Sequence, residues 1–141
     1  MSTKEKVEKI SREVAEAEFI KWCEAHDLDI DEKFMDTEEL EDFRKIKKNI
    51  VVGITRGNIT IDGEKATVVT KFSGGNSPDK ITFNSPTGAT FMAADRVKAG
   101  QNVGSTYAKM ADVTGLNSKT FSQLDARDLK YCLGVFALLT S

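Results

Sequence analysis

Along the first third of the chain, apolar residues recur at three- and four-residue intervals. They run through Val7, Ile10, Val14 and Ala17 and thicken at Phe19, Ile20, Trp22 and Cys23. That interval is the period of one helix face. Lys4, Glu8, Arg12 and Glu16 fall on the solvated side. Ser2 and Glu5 have capping-box spacing, so this helix is expected to begin at the second residue. A second helix is predicted from Asp36 or Thr37, where Asp36 and Glu39 repeat that spacing and Leu40, Phe43 and Ile46 turn inward.

At Ile50 the texture changes to β-branched runs. Ile50–Thr55 and Asn58–Ile61 read as strands, Asp62-Gly63 as a type I′ hairpin turn, and Lys65–Phe72 as the returning strand. Ser73 to Asp79 has loop composition, and Lys80–Asn84 is a further short strand. The last third is helical again: one helix from Ser85-Pro86-Thr87-Gly88 through Phe91, Met92 and Val97 to Gly100, and a second over Val103–Val113 ended by Gly115. The third is capped by Asp125, with Leu124 and Leu129 spaced as a hydrophobic staple, and is apolar almost all round from Leu129 to Leu139. The predicted class is α+β: two N-terminal helices, a small antiparallel sheet of three or four strands, and three C-terminal helices. Residues 1–49 form a helical arm and 50–141 an α+β domain, together expected to make one compact unit.

Apolar residues make up 40% of the 141 positions and charged residues 30%, which excludes a mostly disordered chain. A net charge of −2 gives no reason to expect nucleic acid. No apolar run approaches the roughly 20 residues of a membrane span, and the charged start leads into no signal-peptide core. Within the second helix, acids fill the first turns and Arg44, Lys45, Lys47 and Lys48 its end, an order that complements the helix dipole and explains the basic run without nucleic acid. Cys23 and Cys132 read as buried thiols in a reducing compartment; spacing alone leaves their pairing open.

Candidate chemistry is sparse. Asp27, Asp29, Asp31 and Glu38 match the ligand spacing of a calcium loop, but Glu32 stands where the sharp turn needs glycine and no second loop accompanies it. A solvated acidic linker, with Leu28, Ile30 and Phe34 tucked under the helices, is the simpler reading. Gly74-Gly75 lacks the spacing of a phosphate loop. His26, the single histidine, lies three residues beyond Cys23, with no third group to orient a dyad. Asp95, Asp112, Asp125 and Asp128 read as caps and solvated positions. No catalytic residue, metal or other cofactor is therefore expected. Apolar surface remains: Phe19, Trp22, Phe91, Met92, Tyr107 and Met110 are the candidate partner-binding residues, since adaptable Met-rich surfaces suit peptide grooves.

The order of later features then becomes informative. Arg56-Gly57-Asn58-Ile59-Thr60-Ile61-Asp62 leads into Gly63-Glu64-Lys65-Ala66-Thr67-Val68-Val69. Ile81-Thr82-Phe83, Pro86-Thr87-Gly88-Ala89 and Asp112-Val113-Thr114-Gly115-Leu116 follow. Leu124-Asp125-Ala126-Arg127-Asp128-Leu129 comes last, before the apolar helix. From Ile50 onward this order resembles the tail assembly chaperones of long-tailed bacteriophages and prophages. The resemblance implies a non-enzymatic protein of the bacterial host cytoplasm that coats the tape measure protein. It further implies recruitment of tail tube protein and absence from the mature virion; self-association is a separate expectation, and no membrane, nucleic-acid or small-molecule partner is expected. Two other functions compete with it: a structural virion component, such as a tail-completion or connector protein, and a calcium-responsive helix–loop–helix protein.

Overall fold

The computed structural model describes residues 9–96 and 102–141. The Ser2–Glu5 box, Val7, and the helix end expected at Val97 and Gly100 lie outside them. The order is α1 (Arg12–Ala25), α2 (Thr37–Thr55), β1 (Ile59–Asp62), β2 (Lys65–Val69), β3 (Lys80–Phe83), α3 (Gly88–Met92), α4 (Asn102–Thr114), α5 (Ser118–Ser122) and α6 (Ala126–Leu139), with 3₁₀ turns at Glu32–Phe34 and Ala93–Arg96. The fold is α+β.

The first helix starts later than its apolar period suggests. Ser11 is its N-cap, accepting from the Val14 N–H at 3.2 Å, and Ile10 precedes it. Its buried face is Ala15, Phe19, Trp22 and Cys23, whereas Val14 and Ala17 are exposed. Spacings of three and four fit both stripes, and the aromatic bulk of Phe19 and Trp22 decides which turns inward. The second helix begins where expected, with the Asp36 carboxylate accepting from the Glu39 N–H at 2.8 Å. It continues to Thr55, so Ile50–Thr55 is helix and not strand. Those β-branched residues are its most buried turn, and tertiary packing outweighs propensity there. Arg44 to Lys48 consequently lie mid-helix, the last turn carries no basic residue, and the dipole does not account for them. The helix also crosses the boundary expected at 49/50, and one buried cluster draws on both sides of it.

The sheet is antiparallel in the order β1-β2-β3. Its register sets Ile59 beside Val68 and Val68 beside Ile81, and likewise Ile61, Ala66 and Phe83, so one face carries an apolar row. The β1–β2 loop is Gly63-Glu64, one residue later than expected, and only Gly63 has positive φ (61°). That fits a type II′ turn better than I′. β2 ends at Val69 and not at Phe72.

Helix α6 packs against α2, β2 and β3, while α4 covers β3. Gly53 on α2 lets Ile59 and Tyr131 approach: a Cβ there would stand 2.7 Å from Ile59 Cδ1. Among the described residues α5 is the C-terminal helix that sequence periodicity missed. Five residues are too few to show a period, although Asn117 caps it through the Lys119 N–H at 2.9 Å. None of the described helices is long and apolar enough to cross a membrane.

Candidate functional site

Of the six apolar residues put forward as partner contacts, three are core. Phe19, Trp22 and Met110 are fully buried. Phe19 packs on Phe43 with ring centroids 6.4 Å apart, and Trp22 Nε1 donates to the Glu64 carbonyl at 3.2 Å. Burying an aromatic side chain of this size stabilises the fold by about 2–3 kcal/mol, which is the role these residues fill. Tyr107 is half-buried, its ring 6.3 Å from that of Phe121. Phe91 and Met92 face solvent, 53% and 68% exposed.

Local geometry explains why those two point outward. The short helix α3 is anchored by Thr90, which is fully buried. Its Oγ1 accepts from the Thr87 N–H at 3.0 Å and donates to the Asp112 carboxylate of α4 at 2.6 Å. With Thr90 held inward, each following residue rotates by about 100° round the helix, and Phe91 and Met92 emerge on the outer side. Val103 on α4 is also strongly exposed. Lys109 Nζ lies 5.8 Å from the Phe91 ring centroid, within cation–π range. Beside Phe91 a cleft of about 450 Å³ is lined by His26, Leu28, Ser85, Pro86 and Leu139, among others.

One wall of this cleft is fixed by His26. Its Nε2 donates to the Glu64 carbonyl at 2.5 Å, which leaves Nδ1 to accept from Ser85 Oγ at 3.4 Å. Its ring also packs edge-on against Trp22, centroids 5.2 Å apart. The histidine thus ties the β1–β2 hairpin and the segment before α3 to the end of α1. Cys23 is buried, and burial pushes its thiol up to about 12, so it is no nucleophile beside His26.

The carboxylates of the acidic linker make local turn contacts. Asp29 Oδ1 accepts from the Asp31 N–H at 3.1 Å, and Asp31 Oδ1 from the Lys33 N–H at 3.0 Å, so these carboxylates organise their own turns. Among the described residues no group of three or more His, Cys, Asp or Glu side chains is placed to hold a metal ion. Leu28 and Ile30 do tuck partly in, but Phe34 is 78% exposed, contrary to the expectation that it is covered.

Asp128 also departs from its expected solvated role. It is fully buried on α6, where Oδ2 accepts from the Phe72 N–H at 3.1 Å, the Ser73 N–H at 2.7 Å and Ser73 Oγ at 2.6 Å. Ser73 Oγ accepts in turn from the Asp125 N–H at 2.9 Å. The loop after β2 is thereby closed onto the start of α6. Asp125 caps that helix through the Arg127 N–H at 2.9 Å, as its spacing predicts. Asp112 serves as the acceptor for Thr90.

Taken together, the α+β frame exposes Phe91 and Met92 on a short helix anchored through Thr90, with Phe91 beside a cleft. Comparison with family models, with characterised proteins and with solved structures found no match to this chain.

Proposed function

We propose that this chain is a non-enzymatic phage tail assembly chaperone, acting in the bacterial host cytoplasm to hold the tape measure protein before the tail tube grows. The observation that carries the reading is the exposure of Phe91 and Met92 on α3, with Phe91 lining the cleft that Pro86 and Leu139 also line. An apolar surface of this kind accepts the apolar stripe of an amphipathic helix, and a tape measure protein is a long series of such helices. The order of motifs from Arg56 to Leu129 supplies the link to that family.

Covering Phe91 and Met92 contributes only about 1–2 kcal/mol each, because both are already partly buried in the free protein. A single contact of that strength is weak, and useful occupancy requires many copies along one client. Co-expression with the large protein encoded next downstream tests the function. The expected result is that the partner becomes soluble and co-purifies with this chain. A partner that stays insoluble, or this chain appearing in purified particles, contradicts the reading.

A further inference from the structure

A different surface remains on the paired helices α2 and α6. The two run antiparallel: Asn49 Nδ2 donates to the Lys130 carbonyl at 3.2 Å, and Ala137 and Leu138 share a groove with Asp42 and Ile46. At the end where α2 begins, this groove of about 550 Å³ is rimmed by Asp27, Asp29, Asp31, Glu39 and Asp42, with Phe34 at its side. At the opposite end a groove of about 660 Å³ is lined by Lys45, Lys48, Arg56, Arg127 and Lys130, together with Val52, Phe72 and Tyr131. No carboxylate lines the second groove.

Helix electrostatics explains only one member of this basic set. Arg56 at the C-cap of α2 is favoured by the dipole, but Lys45 and Lys48 lie mid-helix, and Arg127 and Lys130 sit in the opening turns of α6, where the dipole disfavours positive charge. Nor is the charge neutralised internally. Among the described residues Lys45, Lys48, Arg56 and Lys130 form no ion pair, whereas Arg127 pairs with Asp125 at 2.9 Å and covers the Phe72 ring at 4.0 Å. Next to the groove, Lys71 Nζ donates to the Arg56 carbonyl at 2.7 Å, and its ammonium pKa is lowered by burial and then by Lys9. Apart from Arg127, the cations lining this groove have no acidic partner among the described residues.

The missing counterpart is present at the other end of the same molecule. We propose that the basic groove receives the acidic, Phe34-bearing end of a second copy of this chain, so that copies join head to tail. The acidic rim faces Lys45, Lys48, Arg56 and Lys130, and an aromatic ring that is 78% exposed meets the apolar flanks of Val52, Phe72 and Tyr131. Two different patches make a heterologous contact, which propagates into open rows unless its rotation closes a ring. A nucleic acid fits less well, because the net charge of −2 and the acidic end repel a long polyanion. The inference stands independently of the tape-measure reading.

Sedimentation equilibrium of the full chain across a concentration series tests it. At low salt the average mass is expected to rise to at least twice the 15.5 kDa monomer, and to fall back towards it at about 1 M salt, where the screening length is about 3 Å. Two double variants, Lys48→Glu with Lys130→Glu and Phe34→Ala with Asp42→Lys, each stay monomeric while keeping the native far-UV spectrum. Mixing them restores a complex, because one retains the acidic end and the other the basic end. A wild type that is monomeric at every concentration overturns the proposal, as do variants that associate like the wild type. So does a monomer whose Lys48 and Lys130 instead bind a single-stranded oligonucleotide.

Discussion

The Asp128 carboxylate is held by two backbone N–H groups and the Ser73 hydroxyl, deep enough to be out of contact with water. Hydrogen bonds to a buried charge are the stronger kind, and removing the acceptor leaves donors unsatisfied. Asp128→Asn presents an amide N–H₂ to donors that need an acceptor. It is expected to destabilise the fold by about 2–3 kcal/mol, measured as a lower urea midpoint with unchanged slope. Its sequence signal was ambiguous: an acid three residues after a capping Asp is ordinary at an exposed helix start, and only the fold brings Ser73 to it. The cysteines make a second residue-scale case. Burial pushes both thiols up to about 12, with the nearby Asp128 charge adding to the effect at Cys132. Both should resist alkylation in native protein at pH 8 and label fully in denaturant. Fast native labelling would contradict their burial.

At the scale of elements, caps were the most legible feature. Asp36 and Asp125 each accept from an N–H of the helix start expected of them, since capping depends on a few adjacent residues, whereas Asn117 caps a helix that was not anticipated. Their titration gives a pH prediction. Hydrogen bonds from Arg127, side chain first and then backbone, hold the Asp125 carboxyl below its ordinary range, and the backbone N–H of Glu39 does the same for Asp36. A folded-state value below the unfolded one means stability that is present at neutral pH. It is lost as pH falls from the ordinary carboxylate range through the depressed values. Glu39 is raised by its hydrogen bond to Asp36 and works in the opposite direction, so Asp125 is the cleaner readout. Asp125→Ala should lower stability at pH 7 and flatten the acid limb of a stability–pH curve; an unchanged limb would remove Asp125 from it. Element type was less legible where burial was complete. Ile50–Thr55 has strand composition yet forms the buried end of α2, because a short apolar run shows no period of its own. The face of α1 was ambiguous for a related reason: Val14 and Ala17 offered an alternative stripe, and only contact with Phe43 and the hairpin selects Phe19 and Trp22.

For the molecule as a whole, the class α+β was readable because helical and strand-like segments are separated along the chain. The candidate site was half readable. Phe91 and Met92 were among the residues named from composition, but nothing in sequence separated them from Phe19, Trp22 and Met110. That distinction arises from the Thr90–Asp112 bond, which sets the rotation of α3. The charge polarity of the α2/α6 pair was hidden because its two cation groups lie far apart in sequence and meet only through antiparallel packing. On the proposed function, an apolar face supplying a few kcal/mol per copy would suit weak, repeated gripping along a long partner. The most direct test is a binding titration of a purified helical tape measure fragment against the wild type and the Phe91→Ser, Met92→Ser double variant, with both folds verified. Saturable binding by the wild type, weakened about tenfold or more in the variant, is the predicted result. Equal binding by the two proteins, or none by either, would contradict the account.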